Sequence, residues 1–243
     1  MGVIGLCVPI RIAQAQTLRV AAAANLQKVM TEALIPAFQK QTGATVMPTF
    51  GSTKLLAIQL QNGAREDVFV SADTQAVSKL IAQGTLAPGT ARVYAIGRLV
   101  MWTRRDALHH PHAIADLAGP AYTKIALANP ALAPYGLAAQ QSLAKAGLTA
   151  RVAPRLVQAE NIGQALQYAQ SGNADVALTA LSLVVEDKTD PYVIIPDNLH
   201  APIAQSAGLV KASSQVALGG RFLAFLTSTP AAPLWKRYGY SLP

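Results

Sequence analysis

Residues 17–38 read TLRVAAAANLQKVMTEALIPAF, and the change of period inside this stretch decides the fold. Thr17–Ala22 is a short run that reads as a strand. Leu26, Met30, Ala33, Leu34, Ala37 and Phe38 then recur at steps of three and four, the spacing that puts them on one face of a helix. Pro36 lacks the N–H that an α-helix interior needs, so the helix tolerates it only as a kink or break. The same alternation continues outward. Thr45–Phe50 predicts a strand, Leu55–Leu60 a short helix and Val68–Val70 a third strand. Asp73 is placed to cap a helix carrying Val77, Leu80 and Ile81.

A second block begins near Tyr94. Its spacing predicts strands over Ala95–Thr103, Lys124–Leu127, Pro154–Val157 and Asp175–Leu178, with helices over Leu137–Ala146 and Gly163–Ser171. Ile203–Val210 reads as a further strand, and Gln215–Leu226 and Ala231–Tyr238 as closing helices. Strands alternating with helices imply α/β layers. There is no internal repeat and no Gly/Ser tether, so two lobes, if present, are joined by strands.

Of the 243 residues, 51% are hydrophobic, enough to bury one large or two small cores and to exclude disorder. The formal charge is +8, from 20 Lys and Arg against 12 Asp and Glu, which suits an anionic partner. The spacing of the cations argues against nucleic acid. They are scattered, and the densest pair, Arg104-Arg105, lacks the interleaved aromatics of a base-stacking platform.

Residues 1–16 differ from the rest. An apolar run, Gly2–Ile10, leads into Ala13-Gln14-Ala15, the small-x-small pattern of a secretory signal peptide cleaved after Ala15. Leu6 stands where a lipidated Cys7 would need a small neighbour. Cys7 is the one cysteine, so a chain processed at Ala15 carries no thiol catalysis, disulfide or cysteine-based zinc site.

The informative chemistry sits where strands hand over to helices: Ala24-Asn25, Gly51-Ser52-Thr53, Pro134-Tyr135-Gly136 and Glu160-Asn161-Ile162. Unpaired N–H groups and the positive dipole end make each helix start a place for an anion. Ser, Thr and Asn are also the ordinary caps of ordinary helices, so no single junction identifies a site. Convergence of four would give a site made of donors alone. About six charge-assisted hydrogen bonds, at roughly 1.5–3 kcal/mol each, then support tight binding after the cost of association. A donor-only site favours fully deprotonated oxyanions, because a protonated one wastes its own donor.

Other constellations are weaker. His109-His110-Pro111-His112 lies in a polar connection with only Asp106 and Asp116 nearby in sequence, and reads as a solvated loop rather than a metal site. Glu66-Asp67 opens a buried strand and reads as structural. Gly97 has no phosphate-loop partners, and nothing assembles a nucleophile, a base and an orienting group.

RVAAAANLQKVM (19–30), FGSTKLLAIQLQNGAREDVFVSAD (50–73), YAIGRLVMW (94–102), NPALAPYGLAAQQSL (129–143), AENIGQALQYAQSGNADVAL (159–178) and WKRYGYSLP (235–243) resemble, in order and spacing, the motifs of the periplasmic molybdate-binding proteins of ABC importers. The resemblance runs from Thr17 to Pro243. It implies a two-lobed type II periplasmic binding protein fold, each lobe a mixed sheet flanked by helices, with the ligand cleft between them. Lobe one is expected at 17–93 plus 207–243 and lobe two at 94–206.

By the same resemblance, Asn25 stands at the first ligand position and Thr53 where the family usually has a second ligating Ser. Ala24 and Ser52 stand beside them. Tyr135 and Ile162 match positions that donate backbone N–H groups from the other lobe. Two departures stand out. Ala180 occupies the neighbourhood of a Tyr that contacts ligand in some members, and Thr53 adds a methyl where Ser is usual.

The implied protein is a monomer in the periplasm and not an enzyme. It has no cofactor and binds no nucleic acid. Its ligand is molybdate or tungstate, held as an oxyanion with no protein–metal ligation, and its partner is an ABC permease. The residues leave two alternatives open: sulfate or another small oxyanion, and the ligand-sensing domain of a regulator.

Overall fold

The computed structural model describes residues 16–243. The expected signal peptide over 1–15, with Cys7, lies outside the described residues.

Two five-stranded sheets organise the chain. The first lobe opens with β1 (Thr17–Ala23), which passes through a 3-10 turn (Ala24–Leu26) into α1 (Gln27–Val29) and α2 (Ile35–Thr42). Between these helices, Met30–Leu34 form a π-helical turn. The expected break at Pro36 therefore takes the form of a π-bulge, which shifts the hydrogen-bond ladder just ahead of the residue that cannot donate to it. The lobe continues with β2 (Thr45–Gly51), α3 (Thr53–Gln61), β3 (Val68–Ser71), α4 (Gln75–Ala82) and β4 (Arg92–Gly97).

The second lobe holds β5 (Leu99–Trp102), β6 (Ile125–Ala128), α5 (Pro134–Lys145), α6 (Thr149–Val152), β7 (Leu156–Ala159), α7 (Ile162–Gln170), β8 (Val176–Ala180), α8 (Leu181–Val184) and β9 (Tyr192–Ile194). The chain then returns through β10 (Ile203–Leu209), α9 (Val216–Leu226) and α10 (Ala232–Arg237).

In the first sheet the order is β2-β1-β3-β10-β4, with β10 antiparallel to both of its neighbours. In the second it is β7-β6-β8-β5-β9, with β5 antiparallel to β8 and β9. Both sheets are mixed, and helices flank them.

Three expectations need correction. The single strand expected over Ala95–Thr103 is two strands in two sheets, broken at Arg98, because apolar patterning records burial and not which sheet a strand joins. The lobe boundaries expected at 93/94 and 206/207 cut through β4 and β10. Both strands lie wholly in the first sheet, so the chain changes sheet at Arg98 and again between Ile194 and Ile203. The strand expected to begin at Pro154 begins at Leu156, since Ala153–Arg155 form a 3-10 turn. That turn is held by Arg155, whose Nη1 donates to the carbonyls of Gly119 and Tyr122 at 2.7 Å each. The short elements α8 and β9 were not legible in the periodicity.

Asp73 caps as expected, its Oδ1 accepting from the N–H of Ala76 at 2.7 Å. Asp67 has the structural place read for it. It is buried, accepts from Arg19 N at 2.8 Å and from Ser213 Oγ at 2.6 Å, and so ties β1 to the segment that follows β10.

Candidate functional site

In open α/β sheets, ligands sit beyond the carboxyl ends of the parallel strands. Both sheets turn those ends toward one narrow cavity between the lobes. From the first lobe it is lined by Ala23, Ala24 and Asn25 after β1, by Gly51, Ser52 and Thr53 after β2, and by Ala72 after β3. From the second it is lined by Ala133, Pro134 and Tyr135 at the start of α5 and by Asn161 and Ile162 at the start of α7. All six residues singled out in the sequence, Ala24, Asn25, Ser52, Thr53, Tyr135 and Ile162, come together here. The cavity is small, about 10 Å3, and no charged side chain lines it.

A larger hollow of about 1130 Å3 lies at the opposite edge of the first sheet, near Arg19, Asp67 and Lys211. It lies at the amino ends of β1 and β3, where Arg19, Arg65, Glu66, Asp67 and Lys211 line it and a single helix start, Gln215 before α9, reaches it. The narrow cavity is the chemically organised one.

Local sequence explains the helix starts. Pro134 occupies the first turn of α5, where its missing N–H is not needed and its φ is already helical. Asn161 caps α7 by accepting from Gln164 N at 3.0 Å, and Gln164 Oε1 accepts in turn from Glu160 N at 2.7 Å. Thr53, Tyr135 and Ile162 each lie in the first turn of a helix, where the helix supplies no acceptor for their N–H groups.

The hydroxyls divide differently from the expectation that put Thr53 first. Thr53 Oγ1 accepts from Ala72 N at 3.2 Å. Ser52 precedes α3 at the N-cap position, yet its Oγ makes no capping bond. That oxygen is buried and has no hydrogen-bond partner among the described residues. A hydroxyl kept out of water is costly to leave unpaired, and Ser52 leaves its own inside the cavity.

Asn25 also differs. Its Nδ2 donates to Gln205 Oε1 at 3.0 Å and to the Tyr240 hydroxyl at 2.9 Å, which spends both amide hydrogens. Asn25 therefore has no amide hydrogen left to offer the cavity.

The network beneath the cavity was missed in the sequence. Tyr94 Oη lies 2.8 Å from Ser71 O and 3.0 Å from Gln205 Oε1. Gln205 Nε2 donates to Tyr135 Oη at 3.1 Å. The carbonyl of Asn25 accepts from Ser182 Oγ at 2.8 Å and from Tyr240 Oη at 3.1 Å. Every member is buried. The bonds of Tyr135 and Ser182 cross from one lobe to the other, as does the backbone bond from Lys54 N to Leu132 O at 3.1 Å. Ala180 lies outside the cavity, paired with Leu99 and fully buried.

Burial pushes the phenols of Tyr94 and Tyr135 well above their ordinary range, and the neighbouring Tyr240 adds to the effect. Burial likewise raises Tyr240. Tyr238 is pushed up to about 12 by burial and by its hydrogen bond to Glu32. These groups stay neutral in the folded protein at pH values where the unfolded chain ionises. Their contribution to stability is thus complete below about pH 10, the ordinary phenol value, and is lost as pH rises beyond it. Urea unfolding midpoints should fall steeply between about pH 10 and 11.5, and a flat midpoint over that range contradicts the assignment.

Comparison with known proteins agrees with this geometry. The sequence profile of the bacterial extracellular solute-binding proteins matches residues 18–241. The molybdate-binding protein ModA of Azotobacter vinelandii is 35% identical over 233 residues, covering 95% of this chain and 92% of that protein. Its namesake in Rhodobacter capsulatus is 33% identical over 241 residues, covering 98% and 92%. The solved structure of the Azotobacter vinelandii periplasmic molybdate-binding protein superposes with a TM-score of 0.87 at 34% identity, over 93% of this chain and 99% of that one. A cleft between two mixed sheets, a cavity without charged side chains and full-length similarity converge: the chain belongs to the bacterial extracellular solute-binding proteins, the family that includes these molybdate-binding proteins, and is a binding protein rather than an enzyme.

Proposed function

We propose that the chain captures molybdate, and tungstate with it, in the cavity between the lobes and delivers it to the permease of an ABC importer. On this reading it works in the periplasm as a monomer without a cofactor, and molybdenum meets it only as the oxyanion. Closure brings residues 17–97 plus 203–243 against 99–194, with the crossings at Arg98 and at 195–202 as the pivot. The ligand contacts are the backbone N–H groups of Ala24, Asn25, Thr53, Tyr135 and Ile162, together with the Ser52 hydroxyl.

The observation that carries the proposal is the free, buried Ser52 Oγ in a cavity ringed by helix starts and lined by no charged group. Such a ring offers donors to every oxygen of a tetrahedral dianion. Its N–H groups give the proton of a hydrogen phosphate no acceptor, and Asn161 Oδ1 is already engaged in capping.

Isothermal titration tests the reading. Molybdate and tungstate should bind tightly, and sulfate and phosphate at least tenfold more weakly. Ser52→Ala should remove one charge-assisted hydrogen bond, about 1.5–3 kcal/mol, and weaken molybdate binding at least tenfold with little change in melting temperature. No heat with molybdate, or tighter binding of sulfate, overturns the proposal in favour of another small oxyanion.

A further inference from the structure

Gln205 touches neither the cavity nor solvent, yet it is the residue on which the buried network turns. Its Oε1 takes Asn25 from the strand end of the first lobe and Tyr94 from β4. Its Nε2 reaches across to the hydroxyl of Tyr135, whose own backbone opens α5 in the second lobe. Gln205 is fully buried on β10, one of the two strands that enter and leave the pivot.

The local backbone is arranged around this side chain. The β10–β4 register slips between Gln205 and Ser206: Gln205 faces Ala95, Ser206 faces Val93, and Tyr94 is the extra residue. A bulge of this kind re-aims a side chain. Opposite, Gly97 leaves room for the contact. A Cβ there would lie 2.0 Å from Tyr135 Oη and 2.6 Å from Gln205 Nε2. A strand slip and a missing side chain thus both serve one hydrogen bond between lobes.

We infer that Gln205 is a positioning residue for the anion site: by bridging the Asn25 amide and the Tyr135 hydroxyl across the pivot, it sets the distance between the donor-bearing backbones of the two lobes. The inference rests on the binding function proposed above. The physical reason is rigidity. A backbone N–H contributes to an anion only when it is held where the oxygen will be, and a satisfied buried network fixes such positions better than apolar packing alone.

The test is a double-mutant cycle on the purified protein, read by titration with molybdate and sulfate and by melting without ligand. Gln205→Met keeps the side-chain length and removes the bridge. Tyr135→Phe keeps the ring and the backbone N–H and removes only the hydroxyl. Each single change should weaken molybdate on the order of tenfold and narrow the ratio of molybdate to sulfate affinity. The double variant should be no weaker than the weaker single, because both remove one linkage. Wild-type affinity and selectivity in both variants, or losses that simply multiply, overturn the inference, even if the melting temperature falls. If Gln205→Met does not fold, Tyr135→Phe alone decides by the same two readouts. A wild-type protein that binds none of the anions fails the proposed function instead, so the two failures are separable.

Discussion

Gly136→Ala should weaken anion binding by at least about tenfold. Gly136 lies in the first turn of α5, packed against the end of β6, where a Cβ would sit 2.1 Å from the carbonyl oxygen of Ala128 and 2.8 Å from its carbonyl carbon. Both are main-chain atoms of a fully buried strand, so no side-chain rotation relieves the overlap. The start of the helix has to move outward, taking the N–H groups of Tyr135 and residue 136 with it. Losing the charge-assisted bond of Tyr135, about 1.5–3 kcal/mol, weakens molybdate by roughly ten- to a hundredfold. Titration of the variant, with circular dichroism to show that the helices remain, checks this. Affinity within threefold of wild type would mean that α5 does not contribute to the site.

Trp235→Ala should cost the most stability. Trp235 is fully buried, stacked on Tyr94 at 4.9 Å between ring centroids and edge-on to Tyr240 at 5.2 Å. Its Nε1 donates to the carbonyl of Leu226 at 2.8 Å. Removing a large buried aromatic costs about 3–5 kcal/mol, and in a chain of this size the melting temperature should fall on the order of 10 °C. Because both aromatic neighbours belong to the network around Gln205, molybdate affinity should fall as well, even at temperatures where the variant is folded. Unchanged affinity in folded protein would separate the aromatic cluster from the site.

What could be read from the sequence was what is local. The strand-to-helix handovers at Asn25, Thr53, Tyr135 and Ile162 are signalled within a few residues by small and capping side chains, and the structure gathers them around one cavity. The division of labour between Ser52 and Thr53 was not readable. It depends on the N–H of Ala72, which captures one hydroxyl and leaves the other free. Gln205 was invisible for the same reason on a larger scale. Its partners Asn25 and Tyr135 lie 180 and 70 residues away, and a glutamine followed by a serine looks like any polar interruption of a strand. Gly97 likewise gains its meaning only from the Tyr135 hydroxyl that approaches it. The resemblance to a family supplied the lobes, but its boundaries fell inside β4 and β10 because no periodicity marks where a strand changes sheet.

The placement of β10 between β3 and β4 has a consequence for the order in which the molecule can be built. All five strands of the second sheet lie between Leu99 and Ile194, so that sheet is complete once Ile194 is available. The first sheet begins at Thr17 but cannot close until Ile203–Leu209 arrive, because until then β3 keeps a bare hydrogen-bonding edge and β4 has no neighbour. Such long-range pairing is slow, and an open apolar edge invites other chains. A nascent or truncated chain ending before Ile203 should therefore carry one finished lobe and one adhesive half-sheet, which makes the segment from Ile203 onward the one that removes the sticky edge.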